Sequence, residues 1–425
     1  MKKTLLSAVI AVFGMLLNAN AQEELLVGGD ISVLPRYEAK KVSYYDQQGK
    51  KITDVMQYLK SDAVGWNALR VRLFVDPSGD SDPQVCQDLN YVVPLAKRIK
   101  AEGFKLLLDF HYSDTWADPA KQWTPASWLG LNDEQLKEKI YDYTKDCLQV
   151  LVDSGATPDY IQTGNEISYG MLWGQKGTTA NRCYTGSNAN WPRFIALLKQ
   201  AGKACREVCP DAKIIIHTER AGKPSVLKGI YQKLASVDYD IIGLSYYSFW
   251  HNNLATLASS LTQLATSFPN KKVHIVETAY YYQYQPAVGE GIDYDFSSTW
   301  PISAAGQKAF TQDLITELKK HTNVTALYWW FPEENGNGPN NSVLNDWVNR
   351  GLWNNTSHKA HSALYELKEF LNRESSGVEQ HKMNSTDTKH ESKYYDLQGR
   401  RLNGEPRLGG IYIHEAKDGR RIKTL

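Results

Sequence analysis

The amino-acid sequence predicts an α/β fold, and within that class a (β/α)8 TIM barrel followed by a short C-terminal β-rich tail. Eight short apolar runs alternate along the chain with longer amphipathic runs of helical spacing. The short runs are almost continuously apolar, which is typical of parallel strands that are covered on both faces. Eight such β/α units within roughly 350 residues match the size of a (β/α)8 barrel.

The predicted strands are rich in apolar and β-branched residues and end in polar ones. In chain order they read LLVGGDISVL, ALRVRLFV, KLLLDFHY, YIQTGNE, KIIIHTE, YDIIGLSYY, KVHIVETAY and TALYWWFP. The clearest helices between and after them are DLNYVVPLAKRIKAEG, LNDEQLKEKIYDYTKDCLQVLVDSG, WPRFIALLKQAGKACREVC and HSALYELKEFLN. We therefore expect eight strands and eight helices in strict alternation.

A doubly wound open sheet is the alternative arrangement of the same elements. In that fold a phosphate-binding G-x-G-x-x-G turn is expected after the first strand, and LLVGGDIS contains no such turn. The barrel is therefore the preferred prediction.

The first 21 residues have the pattern of a secretory signal peptide. Lys2 and Lys3 precede the apolar run LLSAVIAVFGMLL, and Ala19-Asn20-Ala21 supplies a small-residue cleavage site. The run is too short to span a membrane, and no other stretch is long and apolar enough to do so. We expect an exported protein, located in the periplasm, on the outer surface or outside the cell.

Three further segments differ in composition. Residues 22–372 carry the barrel pattern, residues 373–392 form a polar linker, and residues 393–425 form a small module of strand-like runs and glycine-containing turns. The formal net charge of +1, without a basic stripe, gives no support to nucleic acid as a partner. We expect a monomer.

The chain has five cysteines, an odd number, so at least one thiol is expected to remain unpaired. Cys205 and Cys209 lie four residues apart on one predicted helix face and could in principle bind a metal. No histidine or cysteine at a suitable spacing supports such a site, which favours small buried side chains instead.

Polar residues concentrate at the carboxyl ends of the predicted strands, which open onto one rim in a barrel. They are Asp30, Arg72, Asp109, His111, Asn165, Glu166, His217, Glu219, Ser245, Glu277 and Trp330. So many polar residues on one rim are hard to explain as core packing. They predict an active site there.

Two of these residues, Glu166 and Glu277, form the carboxylate pair that a glycosidase requires. One carboxyl group protonates the leaving oxygen, while the other attacks the anomeric carbon or activates water. Arg70 and Tyr247 are expected to reach Glu277 and keep it ionised, and Asn165 could bond a sugar 2-hydroxyl. The structural alternative is that each glutamate is a strand-end acid paired with an arginine.

Several motifs resemble those of family 53 glycoside hydrolases, the endo-β-1,4-galactanases of clan A. The long third-strand motif DFHYSDTWADP is intact at residues 109–119, and VRLFVDP occupies residues 71–77. YDYTKD, TGNEI, MLWG, IGLSYYSFWH and VETAY also match. The similarity covers about residues 25–370. The tail resembles C-terminal β-modules of exported Bacteroidetes proteins.

The resemblance implies a role for individual residues. Glu166 is expected to be the acid/base and Glu277 the nucleophile of a retaining mechanism, with Asn165 on the 2-hydroxyl. Supporting or sugar-stacking residues are expected to be Arg70, Asp109, His111, Tyr247, Trp116, Trp173, Trp250 and Trp330.

The implied activity is endo-hydrolysis of β-1,4-galactan and galacto-oligosaccharides, the side chains of type I arabinogalactan in pectin. The alternatives are another clan A endo-glycosidase acting on mannan or glucan, and a non-catalytic glycan-binding barrel. No cofactor is required for this chemistry.

The sequence departs from the family pattern in three places. The fifth strand ends IIHTERAGKP where relatives often have Asp-Asn-Gly, so the resemblance assigns no role to Glu219. The eighth reads YWWFPEENGNG where many have Trp-Glu-Pro. Some bacterial relatives bind structural calcium between loops seven and eight; here Asp293, Asp295 and Asp346 are the candidate ligands, at a different spacing.

Overall fold

The protein is described from a computed structural model that covers residues 24–178, 182–337 and 349–372. Beyond these, the backbone is described for four short strands of the C-terminal tail. The chain divides into two compact units, Met1–Arg373 and Glu374–Leu425. The predicted signal peptide and polar linker fall outside the described residues.

Eight parallel strands close into a barrel, which confirms the predicted fold class. Neighbouring strands around it follow the order β1-β4-β5-β6-β7-β8-β9-β10. Their bounds are β1 Leu26–Asp30, β4 Ala68–Leu73, β5 Lys105–Phe110, β6 Tyr160–Thr163, β7 Lys213–Thr218, β8 Ile241–Tyr246, β9 Lys272–Thr278 and β10 Val324–Trp330. The remaining two strands before the tail, β2 Tyr44–Tyr45 and β3 Lys51–Ile52, pair separately as an antiparallel hairpin.

The helices alternate with the strands less strictly than the sequence predicts. Two short helices and the hairpin connect β1 to β4, and two helices connect β8 to β9. The bounds are α1 Leu34–Ala39, α2 Val55–Lys60, α3 Leu89–Ala101, α4 Asp133–Asp153, α5 Trp191–Val208, α6 Pro224–Lys233, α7 Ser248–His251, α8 Leu254–Ser267, α9 Ala304–Lys319 and α10 Ser362–Glu366. The predicted last helix continues beyond α10 as a 3-10 turn, Leu367–Leu371.

Local sequence explains where the longest helix, α4, begins and which face it buries. The side chain of Asn132 accepts the backbone N–H of Gln135, whose side chain accepts the N–H of Asn132, forming a capping box. The buried residues of α4 recur at helical spacing and include Leu136, Ile140 and Leu148. They pack on the outer face of the barrel.

A small apolar layer fills the barrel interior below the polar side chains of the carboxyl rim. It consists of Leu26, Ala68, Leu107, Ile215, Ile241, Val276, Ala326 and Tyr328. The strands approach closely here: a Cβ added to Gly28 would lie 1.7 Å from the carbonyl oxygen of Ala68, so only glycine fits. The apolar plug leaves the polar side chains at the carboxyl rim.

The tail unit contains a four-stranded antiparallel sheet in the order β12-β11-β13-β14. Its strands are β11 Lys393–Tyr395, β12 Arg401–Leu402, β13 Tyr412–Glu415 and β14 Arg421–Thr424. Within the described parts of the chain, no helix is long and apolar enough to cross a membrane. All five cysteines are described and none forms a disulfide; Cys205 and Cys209 are buried, as predicted.

Candidate active site

An open cleft of about 730 Å³ lies at the carboxyl rim of the barrel. Glu166 and Glu277 both line it, together with Asn165, His111 and Tyr247. These residues come from or directly follow β5, β6, β8 and β9. The structure therefore brings together at one surface most of the side chains that the strand ends predicted.

Glu277, near the end of β9, is held by a cation and a hydroxyl. Nη2 of Arg70 lies 2.9 Å from its Oε1, and the hydroxyl of Tyr247 donates to its Oε2 at 2.9 Å. Both contacts were predicted from the sequence and are confirmed. Burial raises the pKa of Glu277, while Arg70 and the Tyr247 hydrogen bond oppose that rise by stabilising the carboxylate.

Arg70 is fully buried in β4 and forms ion pairs with several acidic side chains at once. Its guanidinium lies 2.8 Å from Asp30 and 2.7 Å from Asp109, and also donates to Oδ1 of Asn165 at 2.9 Å. Burying a cation is costly unless it is paired and hydrogen-bonded. This network therefore keeps Arg70 beneath the cleft floor, where it can orient both Glu277 and Asn165.

Glu166 follows β6 in a left-handed backbone conformation, with φ of 49°. A non-glycine residue in this region is strained by about 1–3 kcal/mol and such residues cluster at functional sites. The hydroxyl of Ser245 donates to its Oε1 at 2.6 Å. Burial raises the pKa of Glu166 well above its usual range, and the carboxylates of Glu277 and Glu219 raise it further.

Ser245 bridges the two glutamates. Its Oγ lies 2.6 Å from Oε1 of Glu166 and 3.4 Å from Oε2 of Glu277. These two carboxyl oxygens are therefore no more than about 6 Å apart, which is nearer to the spacing of retaining than of inverting glycosidases. Ser245 was noted from the sequence as a polar strand end but was given no role.

His217 orients the Ser245 hydroxyl. Its Nδ1 accepts the backbone N–H of Glu166 at 3.3 Å, and lies 3.1 Å from Nε2 of Gln162 and 3.0 Å from Oδ1 of Asn165. Burial lowers the pKa of His217 well below its usual value, so the ring is neutral. Because Nδ1 accepts the N–H of Glu166, the ring proton lies on Nε2, which is 2.8 Å from Ser245 Oγ. The serine proton is thus directed to Glu166. No sequence motif indicated the part played by Gln162.

Asp109 and His111 support the floor next to Asn165. Nε2 of His111 lies 3.1 Å from Oδ2 of Asp109, and its Nδ1 accepts from the N–H of Ala117 at 3.1 Å. Burial raises the pKa of Asp109, but the nearby Arg70 and His111 outweigh that effect and lower it overall. Asp109 is fully buried beneath the cleft, whereas His111 lines it.

Three of the predicted tryptophans, Trp116, Trp250 and Trp330, line the cleft. Trp116 and Trp330 have ring centroids 6.0 Å apart, with the Arg72 guanidinium 4.7 Å from the Trp116 ring. Nε1 of Trp116 donates to Asp82 at 2.8 Å, and Nε1 of Trp250 donates to the carbonyl oxygen of Gly291 at 2.6 Å. These bonds fix the orientation of the rings.

Trp173 is not in the cleft wall, contrary to the prediction. It is only 5% exposed, packs edge-on against Trp123 and Tyr184, and donates from Nε1 to the carbonyl oxygen of Tyr169. Its ring is used for packing beneath the loop after β6. Tyr294, which the sequence reasoning missed, does line the cleft and is 38% exposed.

The candidate calcium ligands do not form a recognisable site in the part of the chain that is described. Oδ1 of Asp295 accepts from the N–H of Ser297 at 2.8 Å and from Gln285 at 3.0 Å. Asp293 lines the cleft, and Asp346 lies outside the described residues. No group of three or more acidic, histidine or cysteine side chains is placed to hold a metal ion among those described. Calcium binding stays a prediction.

A (β/α)8 barrel with two glutamates facing a common cleft at its carboxyl rim is typical of a glycoside hydrolase. The model of glycosyl hydrolase family 53 matches residues 26–376, and the chain belongs to that family.

Similar proteins agree with this assignment. An endo-beta-1,4-galactanase of Bacillus subtilis is 32% identical over 342 residues, covering 78% of this chain and 74% of the relative. An uncharacterized protein of Niallia circulans is 36% identical over 320 residues, covering 73% and 84%. The solved family 53 catalytic domain of Ignisphaera aggregans has a TM-score of 0.70 at 29% identity, covering 81% of this chain and 96% of that domain.

Proposed function

We propose that this protein is an endo-acting galactanase that hydrolyses β-1,4-galactosidic bonds in galactan with retention of anomeric configuration. The observation that carries this proposal is the pair Glu166 and Glu277, held within about 6 Å by a shared contact with Ser245. That spacing leaves little room for a water molecule between the carboxylates. The galactan substrate is supported by the relative in Bacillus subtilis, an endo-beta-1,4-galactanase.

In the first step, the carboxylate of Glu277 attacks the anomeric carbon from the face opposite the leaving sugar. The C–O bond to that sugar breaks, and Glu166 gives its proton to the departing oxygen. A covalent α-galactosyl ester on Glu277 results. The two environments suit these roles, because Arg70 and Tyr247 stabilise a negative Glu277 while burial favours a protonated Glu166.

In the second step, a water molecule enters where the leaving sugar was. Glu166, now ionised, takes a proton from the water as its oxygen attacks the anomeric carbon, and the ester bond to Glu277 breaks. The product is a β-configured hemiacetal and both glutamates return to their starting states. The Ser245 hydroxyl, oriented by neutral His217, stabilises Glu166 while it is ionised.

The cleft also offers groups that suit a galactan chain. Nδ2 of Asn165 donates one hydrogen to the carbonyl oxygen of Ala117, and its second hydrogen suits a sugar 2-hydroxyl. Trp116, Trp250 and Trp330 provide flat apolar surfaces for the C–H faces of pyranose rings. An open cleft, rather than a closed pocket, suits cleavage within a long chain.

The biological setting is inferred from the sequence alone. We infer export through the signal peptide at residues 1–21 and action as a monomer on the galactan side chains of pectin.

Product analysis on a panel of purified polysaccharides tests the proposed function. We expect galactan to be cut to oligosaccharides of several lengths at early times, with mannan and β-glucan untouched. Cleavage of mannan or glucan instead would favour another clan A specificity. Binding of galactan without any product would favour a non-catalytic barrel.

A further inference from the structure

We propose that Glu219 is a positioning residue for the acid/base Glu166: with Arg220 it clamps the turn that carries Glu166 and adds a negative charge beside it. This inference rests on the proposed retaining role of Glu166. Glu219 directly follows β7, the strand next to β6, so the two glutamates lie at neighbouring positions on the rim. Both line the cleft.

The clamp acts on the 3-10 turn Ile167–Tyr169, which begins at Glu166. In its centre, the hydroxyl of Ser168 donates to Oε1 of Glu219. Nε of Arg220 lies 3.0 Å from Ser168 Oγ and 2.9 Å from the same Glu219 oxygen. The three side chains therefore form a closed triangle of polar contacts on this turn.

Arg220 adds a second hold on the same turn. Its guanidinium lies over the ring of Tyr169, 4.5 Å from the centroid, while Tyr184 stacks on Tyr169 at 5.7 Å. Because the left-handed conformation of Glu166 is costly, neighbouring contacts must over-determine it. The clamp supplies such contacts from a different strand.

The charge of Glu219 is the second part of the argument. Glu219 is 6% exposed, and its Oε2 is buried with no hydrogen-bond partner among the described residues. Burial raises the pKa of Glu219, whereas Arg220 and the Ser168 hydroxyl oppose that rise by stabilising its carboxylate. A buried negative charge near a carboxylic acid disfavours loss of the acid's proton.

The other groups that face Glu166 come from several elements. Negative charges are Glu277 from β9 and Asp118 from the loop after β5, while Ser245 from β8 donates a hydrogen bond and His217 from β7 is neutral. Tyr247 also lies within electrostatic reach of Glu166 and is protonated, because burial raises its pKa. Glu219 is thus one of three acids that surround the proposed proton donor, and it is the one that also holds its turn.

The test compares two substrates that differ in their need for an acid. Glu219→Gln keeps a hydrogen-bond acceptor for Ser168 but removes the charge. We expect kcat/KM on galactan to fall roughly tenfold. Without the negative charge of Glu219, Glu166 should lose its proton at lower pH, so the alkaline limb of the pH profile of kcat/KM should move to lower pH by about half a unit or more. With a dinitrophenyl β-galactobioside, whose leaving group needs no proton, we expect kcat/KM within about twofold of the wild type.

Ser168→Ala separates the clamp from the charge, because it removes the hydroxyl and keeps the carboxylate. We expect kcat/KM to fall several-fold on galactan and to stay unchanged on the dinitrophenyl substrate. Glu317→Gln is the matched control: Glu317 pairs with Lys320 at 2.7 Å near the opposite rim, and this variant should behave like the wild type on both substrates.

For Glu219→Gln, equal losses of kcat/KM on both substrates would overturn the positioning role, and so would an alkaline limb of the pH–rate profile that stays in place. For Ser168→Ala, a wild-type kcat/KM on galactan would also overturn it. Thermal unfolding midpoints of all variants identify any loss that is due to misfolding. A wild-type enzyme that leaves galactan intact would instead overturn the proposed function, so the two failures can be told apart.

Discussion

Arg70 lies with its guanidinium Nη2 2.9 Å from Oε1 of Glu277, and the arginine side chain is completely buried. The contact joins the middle of β4 to the end of β9, across the inside of the barrel. Arg70 therefore stabilises the ionised form of the proposed nucleophile. It also stabilises the barrel interior, because it forms ion pairs with the buried Asp30 and Asp109.

Arg70→Met should therefore damage both activity and stability. Removing one partner of a buried ion pair costs about 3–5 kcal/mol, because the remaining charges are left uncompensated. We expect a loss of this size in urea unfolding and a loss of most activity on galactan. Arg206→Met is the control: Arg206 pairs with Asp238 and Asp240 at a partly exposed site, and should cost about 1 kcal/mol or less without affecting the rate. Similar unfolding curves for Arg70→Met and the wild type would contradict this account.

Glu166→Ala should affect substrates according to their leaving groups. Without an acid, the departing sugar oxygen of galactan receives no proton, and we expect kcat/KM to fall by roughly 10²–10⁴-fold. Aryl galactosides with acidic phenols leave without protonation, so their kcat/KM should change little. Steady-state kinetics on galactan and on a dinitrophenyl galactoside measure the difference. Equal losses on the two substrates would argue against Glu166 as the acid.

Glu277→Ala should abolish cleavage of galactan, because the carboxylate that attacks the anomeric carbon is removed. Azide, entering the space left by the missing side chain, should restore turnover of an activated β-galactoside. It would attack from the face opposite the leaving group and give an α-galactosyl azide, identified by NMR. Formation of a β-galactosyl azide would show that azide attacks from the face of the leaving group, and would contradict the role of Glu277 as the nucleophile.

His274 predicts a pH dependence of stability. The side chain is 2% exposed within β9, and burial lowers its pKa to about 3, against about 6.5 in an unfolded chain. Between these values only the unfolded state binds the proton, so this histidine's contribution to stability is present above about pH 6.5 and is lost as the pH falls. Between about pH 6 and pH 4, His274→Gln should reduce the slope of the free energy of unfolding against pH by about 1.4 kcal/mol per pH unit. Parallel urea-unfolding profiles for the two proteins would show that His274 is not buried in the neutral form.

The barrel and its two glutamates could be predicted from the sequence because both depend on local pattern. Continuous apolar runs mark strands that are buried on both faces, and the position of Glu166 or Glu277 after such a run places it on the rim. The contacts of Glu277 with Arg70 and Tyr247 followed from the same reasoning, since all three belong to strands that meet inside one barrel.

Contacts that depend on tertiary packing were not predictable in this way. The bridge from His217 through Ser245 to Glu166 depends on the relative heights of three strands, and the pairing of β8 with β9 shifts register between Leu244 and Ser245. The family resemblance suggested Trp173 as a sugar-stacking residue, but a matching motif does not show which side of a loop a ring occupies. Its burial against Trp123 is set by the fold of the loop after β6.

The anomeric form of the first product tests the central claim most directly. If Glu277 is the nucleophile and Glu166 the acid/base, two displacements occur at the anomeric carbon and the configuration is retained. Proton NMR of wild-type enzyme acting on galactan, recorded before mutarotation equilibrates the reducing ends, should show the β-anomer first. Appearance of the α-anomer first would show that the enzyme inverts, and would contradict the roles proposed for both glutamates.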